Sequence, residues 1–194
     1  MEEFIIFIKI STMKTLTLKT DRLILNQPHL GDVSSLIEIM RNPVYSQNTT
    51  NIPFPYTEAN ASFWVNLALE GLKEGDKYIF AIRFIDNPSI IGGIGLGIDT
   101  VNNKAEMGYW LDEQYWNKGY ITEAAKALLQ FGFETLHLKR IFASHFSHNE
   151  ASGKIMQKIG MQKEGVLKAH TLKDNEYLDH VFYAIINEKS VTNP

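Results

Sequence analysis

One stretch of the chain, residues 105–136, joins a strand to the longest helix through a turn that contains a glycine. Residues 105–111 are predicted to form a strand, and residues 121–136 a helix whose apolar positions share one face. Gly119 lies between the two. A strand that turns tightly into a helix directs the unpaired amides of the first helical turn at one point. This succession constrains the fold more than any other segment does.

The same turn has the chemistry of a phosphate site. Its free amides and the helix dipole attract an anion, Lys118 can add a charge-assisted contact, and Gly119 lets the backbone approach closely. An ordinary strand-to-helix turn, with glycine present for steric reasons, is the alternative. No G-x-x-x-x-G-K-[ST] loop occurs in the chain. The glycines at 92, 93, 95 and 97 precede a turn, not a helix, so they are interpreted as strand positions for close packing or a bulge.

The rest of the chain alternates helices with short strands. Strands are predicted around residues 16–25 and over 78–84, 90–98, 140–146, 161–167 and 177–186, and helices after Asp32 and Thr57 and over 151–159. Asp32 is expected to act as an N-cap, and residues 49–56 to form a loop. The fold class is therefore α+β, or α/β with three layers: a mixed sheet flanked by helices.

Composition narrows the functional classes. The 194 residues carry a net charge of −3, and a protein that coats nucleic acid would usually carry a basic excess. The chain has no cysteine, which excludes thiol catalysis and cysteine-based zinc sites. No segment is apolar for long enough to cross a membrane, so a cytoplasmic protein is expected, with no nucleic-acid or membrane partner.

One domain is expected, because no linker or repeat divides the chain. It is assigned to residues 14–188, with an N-terminal extension at 1–13 and a C-terminal tail at 189–194. The extension begins with two glutamates where a secretory signal would be basic. It is predicted to be an added strand or a disordered segment. An exposed strand edge could pair two copies, so both a monomer and a homodimer are open.

Four blocks of sequence resemble motifs of one enzyme superfamily. They are T-D-R-L-I-L at 20–25, A-E-M-G-Y-W-L at 105–111, Q-Y-W-N-K-G-Y-I-T-E-A-A at 114–125, and N-E-A-S, K-I-G-M and E-G between 149 and 165. In this order they resemble the GNAT superfamily of acetyl-CoA-dependent N-acetyltransferases, most closely the Rim-type branch that acetylates ribosomal protein N-termini. The resemblance implies a mostly antiparallel central sheet. Asn117 replaces a family glycine, and asparagine tolerates left-handed backbone angles.

The resemblance implies that acetyl-CoA is the acetyl donor and that no metal is needed. It assigns the donor's diphosphate and pantetheine arm to a set of loop and strand residues: Leu111, Asp112, Trp116, Asn117, Lys118, Gly119, Tyr120, Ile121, Thr122, Asn149 and Ser152. Without the resemblance, Asn149 is equally well explained as a turn residue.

Transfer to an amine needs a base and a donor to the departing sulfur. Glu106 is the candidate base, since its apolar neighbours in sequence could raise its pKa; a solvent-facing carboxylate, or one paired with Lys104, is the alternative. Ser152 is the candidate sulfur donor, and a helix N-cap is its structural role. Tyr109 could serve as the acid or simply pack.

The acceptor is expected to be a primary amine. A protein N-terminus has a pKa of about 7.7–8.0, against about 10.4 for lysine, so it needs little help to become neutral. A small amine such as an aminoglycoside, polyamine or amino sugar is an alternative, as is a non-catalytic acyl-CoA-binding module. Phe54, Tyr56 and Tyr109 are candidate acceptor contacts. His145 and His148 could line the same pocket, while their spacing does not favour a metal site.

Overall fold

The computed structural model describes residues 16–188. The predicted extension at 1–13 and the tail at 189–194 lie outside the described residues. Within residues 16–188, eight strands form a single sheet in the order β1-β2-β3-β4-β5-β6-β8-β7. The strands are β1 (Thr17–Lys19), β2 (Leu23–Asn26), β3 (Lys77–Phe84), β4 (Asn87–Asp99), β5 (Lys104–Leu111), β6 (Arg140–Phe146), β7 (Gln162–Lys173) and β8 (Glu176–Ile186).

Every neighbouring pair in the sheet is antiparallel except β5 and β6, which are parallel. A parallel pair needs a crossover, and a helix supplies it here. The described helices are α1 (Val33–Ile39), α2 (Val44–Asn48), α3 (Glu58–Glu74), α4 (Tyr120–Gln130) and α5 (Glu150–Lys158). The mixed, mostly antiparallel sheet with flanking helices confirms the predicted fold class.

The two faces of the sheet are covered by different helices. In β3, Phe80 and Ile82 belong to a large hydrophobic cluster that also contains the buried residues of α4. Ala81, which points the opposite way, belongs to a second cluster with Leu36 and Val65 from α1 and α3. The first is here called the α4 face and the second the α3 face. Burial on both faces produces the three layers that the sequence predicted.

Several predicted elements differ in detail. The helix expected over 121–136 is α-helical only to Gln130 and ends in a π-helical turn, Phe131–Thr135. The short helix α2 was not predicted. Strand β7 continues to Lys173, well beyond its predicted end. The predicted helix at Thr57 is confirmed, since the Thr57 hydroxyl accepts a hydrogen bond from the amide of Asn60.

Asp32 occupies the predicted N-cap position of α1, but its side chain accepts no capping hydrogen bond from that helix. Both of its carboxylate oxygens instead accept hydrogen bonds from Arg83, at 2.8 and 2.7 Å. Asp32 and Arg83 are each only 3% exposed. Arg83 also donates to the Asn26 side chain and to the carbonyl of Pro88. The pair therefore connects the turn before α1 to the middle of the sheet.

The parallel pairing of β5 with β6 is short. It covers three residue pairs, from Lys104↔Arg140 to Glu106↔Phe142. Strand β5 runs on to Leu111 and β6 to Phe146 without further pairing between them. The two strands therefore diverge beyond Glu106 and leave a cleft in the middle of the sheet.

Candidate active site

The loop between β5 and α4 presents a row of free amides. Within residues 16–188, no hydrogen bond reaches the backbone amides of residues 117–122. Asn117 (φ 60°) and Gly119 (φ 81°) adopt left-handed conformations that turn the chain into α4. Asparagine thus fills the position where the family has glycine. An eleven-residue helix with its N-terminal amides free carries partial positive charge and is suited to bind an anion.

The chain itself holds this loop in shape. Asp112 accepts hydrogen bonds from the amide and the side chain of Gln114, at 3.2 and 2.6 Å. The Trp116 indole donates to the carbonyl of Leu111 at 2.7 Å. The Lys118 ammonium donates to the carbonyl of Gln114 at 2.9 Å, so it lies against the loop. The Leu111 carbonyl and the Asp112 carboxylate are thus engaged within the loop.

The remaining predicted loop residues contribute mainly backbone. The Ile121 side chain is buried in the core, and the Tyr120 ring packs against Phe84 and Tyr115. Thr122 lies one residue further into the first turn of α4, with its amide free like the others. What these residues offer a ligand is the N–H group.

Tyr109 and Ser152 meet at the cleft on the α4 face. The Tyr109 hydroxyl lies 2.8 Å from Ser152 Oγ and donates to the Ser152 carbonyl at 3.1 Å. Burial raises the pKa of Tyr109 to about 12, although the hydrogen bond to Ser152 acts in the opposite direction. The phenol therefore keeps its proton near neutral pH. Tyr109 was predicted as an acceptor contact, and its position suits a hydrogen-bond donor better.

The N-cap of α5 is Asn149, not Ser152. The Asn149 side chain accepts a hydrogen bond from the Ser152 amide at 3.3 Å. Ser152 lies in the first turn, so its hydroxyl is available to Tyr109. The assignment of Asn149 and Ser152 to the pantetheine arm stays a prediction.

Glu106 lies on the opposite face of the same strand. Its neighbours Ala105 and Met107 are buried on the α4 face, so alternation places Glu106 on the α3 face. The Glu106 side chain is exposed, yet the surrounding protein partly desolvates it and raises its pKa above the usual 4.5. No ion pair to Glu106 occurs within residues 16–188; Lys104 pairs with Asp99 instead. The alternative of a Glu106–Lys104 pair is therefore wrong.

Exposed glycines surround Glu106 in the middle of the sheet. Gly97 pairs with Glu106 across β4 and β5, and Gly108 lies two residues along the same strand. A Cβ added at either glycine would meet no atom within 4 Å. By contrast, Gly92, Gly93 and Gly95 pack closely against their neighbours, which confirms the close-packing interpretation for those three. Gly97, Glu106 and Gly108 form an uncovered floor, here called the glycine floor.

The other acceptor candidates lie on the α3 side of the molecule. Phe54 is exposed in the loop between α2 and α3, and Tyr56 packs against the hydrophobic cluster under α3. His148 contacts the carbonyl of Gln47 in α2 at 3.2 Å. His145 is on the α4 face, stacked on Tyr183 and close to Gly153. Strand alternation therefore places His145 and Glu106 on opposite faces of the sheet, whereas His148 lies on the α3 side.

Two further features bear on function. No group of three or more His, Cys, Asp or Glu side chains in the described part of the chain could hold a metal ion. Among residues 16–188, no helix is both long and apolar enough to span a bilayer.

The contacts that join distant segments to the loop are not predictable from local sequence patterns. Arg22, in the turn before β2, reaches the start of α4 and binds Glu123. The Tyr45 hydroxyl accepts a hydrogen bond from the Glu113 amide at 2.9 Å. The T-D-R-L block contained a signal for the first contact, but nothing local identified its partner 101 residues away.

Comparison with protein families gives a match over residues 22–162 to the acetyltransferase (GNAT) domain. The uncharacterized N-acetyltransferase YnaD of Bacillus subtilis is 36% identical over 135 residues, which cover 69% of this chain and 76% of that protein. The [ribosomal protein uS5]-alanine N-acetyltransferase of Escherichia coli is 26% identical, over 90% and 93% of the two chains.

Solved structures agree with this match. An acetyltransferase of the GNAT family from Bacillus anthracis is 28% identical with a TM-score of 0.77, and the alignment covers 88% of this chain and 98% of that one. RimL, a ribosomal L7/L12 α-N-protein acetyltransferase solved with coenzyme A, gives a TM-score of 0.81 at 19% identity, over 88% and 98% of the chains. At 19% identity, the similarity to RimL shows a shared fold and nothing further.

Proposed function

The chain belongs to the GNAT family of N-acetyltransferases, and from this premise we propose that it moves the acetyl group of acetyl-CoA to the α-amine of a protein N-terminus. The observation that carries the proposal is the row of free amides at residues 117–122, beside a cleft between β5 and β6. These amides suit the diphosphate of coenzyme A, and the cleft suits its extended pantetheine arm.

The proposed base and the proposed donors to the departing sulfur lie on opposite faces of β5. Acetyl-CoA supplies an acetyl thioester, whose carbonyl carbon is open to attack by a neutral amine. Glu106, on the α3 face, accepts a proton from the amine directly or through a water. Desolvation raises its pKa, which makes the carboxylate a stronger base than that of a fully solvated glutamate.

Tyr109 and Ser152, on the α4 face, stabilise the departing sulfur. The pKa of Tyr109, about 12, lies above that of a thiol, about 8.5, so the phenol donates a hydrogen bond and retains its proton. Ser152 holds the phenol in place through the 2.8 Å contact. Because the base and the sulfur donor lie on opposite faces, the reacting carbonyl is expected to lie in the cleft between them.

The glycine floor favours a peptide acceptor. Adjacent strands are about 4.8 Å apart, so Gly97, Glu106 and Phe142 form a row about 10 Å long across three strands. Because Gly97 and Gly108 have no side chains, an extended peptide can lie against the sheet with its first residue over Glu106. A relative that acetylates the alanine of ribosomal protein uS5 supports the same class of acceptor.

The decisive experiment measures release of free CoA from acetyl-CoA with a panel of amines. Peptides that begin with Ser, Ala or Met are compared with kanamycin and spermine, and the Glu106→Gln enzyme serves as the matched control. Acetylated peptide identified by mass spectrometry supports the proposal. Turnover confined to kanamycin or spermine assigns a small amine instead, and tight acetyl-CoA binding without turnover of any amine indicates a binding module.

Donor binding is tested separately by thermal unfolding. Acetyl-CoA is expected to raise the melting temperature well above an equimolar ADP control, since ADP shares the diphosphate but lacks the pantetheine arm. Equal shifts with the two ligands would contradict a role for the cleft. The cytoplasmic location stays a prediction.

A further inference from the structure

Arg22 connects the turn before β2 to the first turn of α4. Its Nε donates to Glu123 Oε2 at 2.6 Å, and its backbone amide donates to Glu123 Oε1 at 2.9 Å. The Thr20 hydroxyl donates to the same oxygen at 2.5 Å. These three hydrogen bonds and the charge of Arg22 lower the pKa of Glu123, although desolvation opposes them. Glu123 is therefore a fixed anchor in the first turn of α4.

The same guanidinium contacts the loop itself. Arg22 Nη1 donates to the carbonyl of Lys118 at 3.2 Å, and its central carbon lies 4.4 Å from the centre of the Tyr120 ring. A Cβ added to Gly119 would lie 3.6 Å from Arg22 Nη2. One side chain thus contacts Lys118 and Tyr120 and lies beside Gly119 between them, in the segment whose amides are free.

We propose that Arg22 is a positioning residue for the donor site, which fixes residues 118–120 so that their amides converge on the diphosphate of acetyl-CoA. This inference rests on the proposed function. Neither T-D-R-L nor Glu123 has another role in the site described above.

The loop has a physical need for such a residue. Its amides make no hydrogen bonds to the described chain, and two of its residues adopt left-handed conformations. Free N–H groups do not hold one another in place, so the convergence of the amides depends on contacts made by carbonyls and side chains. Arginine can bind a carboxylate, a carbonyl and a ring face at once because its guanidinium is planar with five donors.

An ion pair that only stabilises the fold would look similar in the structure. Arg22 is half exposed, and pairs of this kind usually add little to stability. The test must therefore separate affinity for the diphosphate from general damage. S-acetylpantetheine lacks the diphosphate but keeps the thioester and most of the arm, so it reports on the cleft without the loop.

The experiment compares Arg22→Gln, Arg22→Lys, Glu123→Gln and the double variant Arg22→Gln/Glu123→Gln with the wild type. Calorimetry gives the Kd for CoA, and kcat/KM is measured with acetyl-CoA and with S-acetylpantetheine. Arg140→Gln is the matched control, since Arg140 also pairs with a glutamate, Glu164, away from the loop.

Arg22→Gln and Glu123→Gln are each expected to weaken CoA binding about tenfold, the effect of losing one charge-assisted contact. The double variant should bind CoA no more weakly than Arg22→Gln alone, because the Arg22–Glu123 contact that Glu123→Gln weakens is already lost in Arg22→Gln. Arg22→Lys should stay weak, since an ammonium cannot reach all three partners. With S-acetylpantetheine, kcat/KM should change less than about twofold, and Arg140→Gln should bind CoA as the wild type does.

The inference is overturned if Arg22→Gln binds CoA like the wild type, if Arg22→Lys restores full affinity, or if both donors lose activity equally. Those outcomes differ from failure of the proposed function, in which the wild type itself would not bind CoA or would acetylate no peptide. The melting temperatures of all variants are recorded to detect misfolding. If an Arg22 variant fails to fold, the comparison with the wild type uses Glu123→Gln in its place.

Discussion

The hydroxyl of Tyr109 lies 2.8 Å from Ser152 Oγ, although the two residues are 43 positions apart in the chain. Tyr109 comes from β5 and Ser152 from the first turn of α5, so the contact spans the cleft between the diverging strands. The sequence suggested Tyr109 and Ser152 separately, as a possible acid and as a donor to the departing sulfur, and the structure brings the two together.

Tyr109→Phe is expected to lower kcat about 10- to 100-fold, because a hydrogen bond to a charged sulfur is worth about 1.5–3 kcal/mol. The CoA affinity should change little. Ser152→Ala should have a smaller effect, and the double variant should be no slower than Tyr109→Phe alone if the residues act as a unit. Steady-state kinetics with the best peptide provides the measurement, and strictly additive losses would contradict the pairing.

Glu106→Gln is expected to lower kcat by about 10²- to 10⁴-fold while the Kd for acetyl-CoA stays unchanged. In the wild type, kcat should fall as the pH drops through the raised pKa of Glu106, since the protonated acid cannot accept a proton. Glutamine does not titrate, so the acidic limb of the kcat profile should disappear in the variant. Glu70→Gln, an exposed carboxylate on α3, is the control. An unchanged pH profile in Glu106→Gln would remove Glu106 as the base.

Gly108→Val tests the glycine floor. The backbone of Gly108 is not left-handed and an added Cβ has open space, so the variant should fold normally. Its branched side chain would stand beside Glu106 and hold a peptide away from the sheet. The KM for the peptide is expected to rise roughly tenfold or more, as expected for misplacing the reacting amine, with no change in acetyl-CoA affinity. A wild-type KM for the peptide would show that the acceptor does not lie on this floor.

Arg83→Met is expected to lower the free energy of unfolding by about 3–5 kcal/mol, because it leaves the Asp32 carboxylate buried without its partner. Replacing both residues, as Asp32→Leu/Arg83→Met, should recover part of this loss. Arg41→Met, which breaks the exposed pair with Glu38, should cost less than about 1 kcal/mol. Urea unfolding measures all three, and equal losses in Arg83→Met and Arg41→Met would contradict the argument.

Many of the strands and helices could be predicted from short-range patterns in the sequence. The strands at 140–146 and the helix at Thr57 were predicted nearly to the residue, since periodicity and capping depend on neighbours a few positions away. The succession of strand, glycine turn and helix was also predicted, because turn and helix signals depend on neighbouring residues. Its family motif added the identity of the ligand that such a loop would take.

The burial of charged side chains could not be predicted from such local patterns. Aspartate is a residue type that favours N-cap positions, and the structure makes Asp32 the buried partner of Arg83, 51 residues away. The local pattern placed Asp32 correctly at the start of α1, but the partner of its carboxylate depends on how β3 packs beneath α1.

The sequence by itself determined most of the strands and helices, and it identified candidate residues with the chemistry of a base, a donor and a phosphate loop. Only the tertiary structure decided which of them meet. It placed Glu106 and Tyr109 on opposite faces of one strand, ended the β5–β6 pairing at Glu106, and brought Arg22 to Glu123. The reason is physical: local conformation depends on nearby residues, whereas strand order, register and side-chain contact depend on the packing of the whole chain.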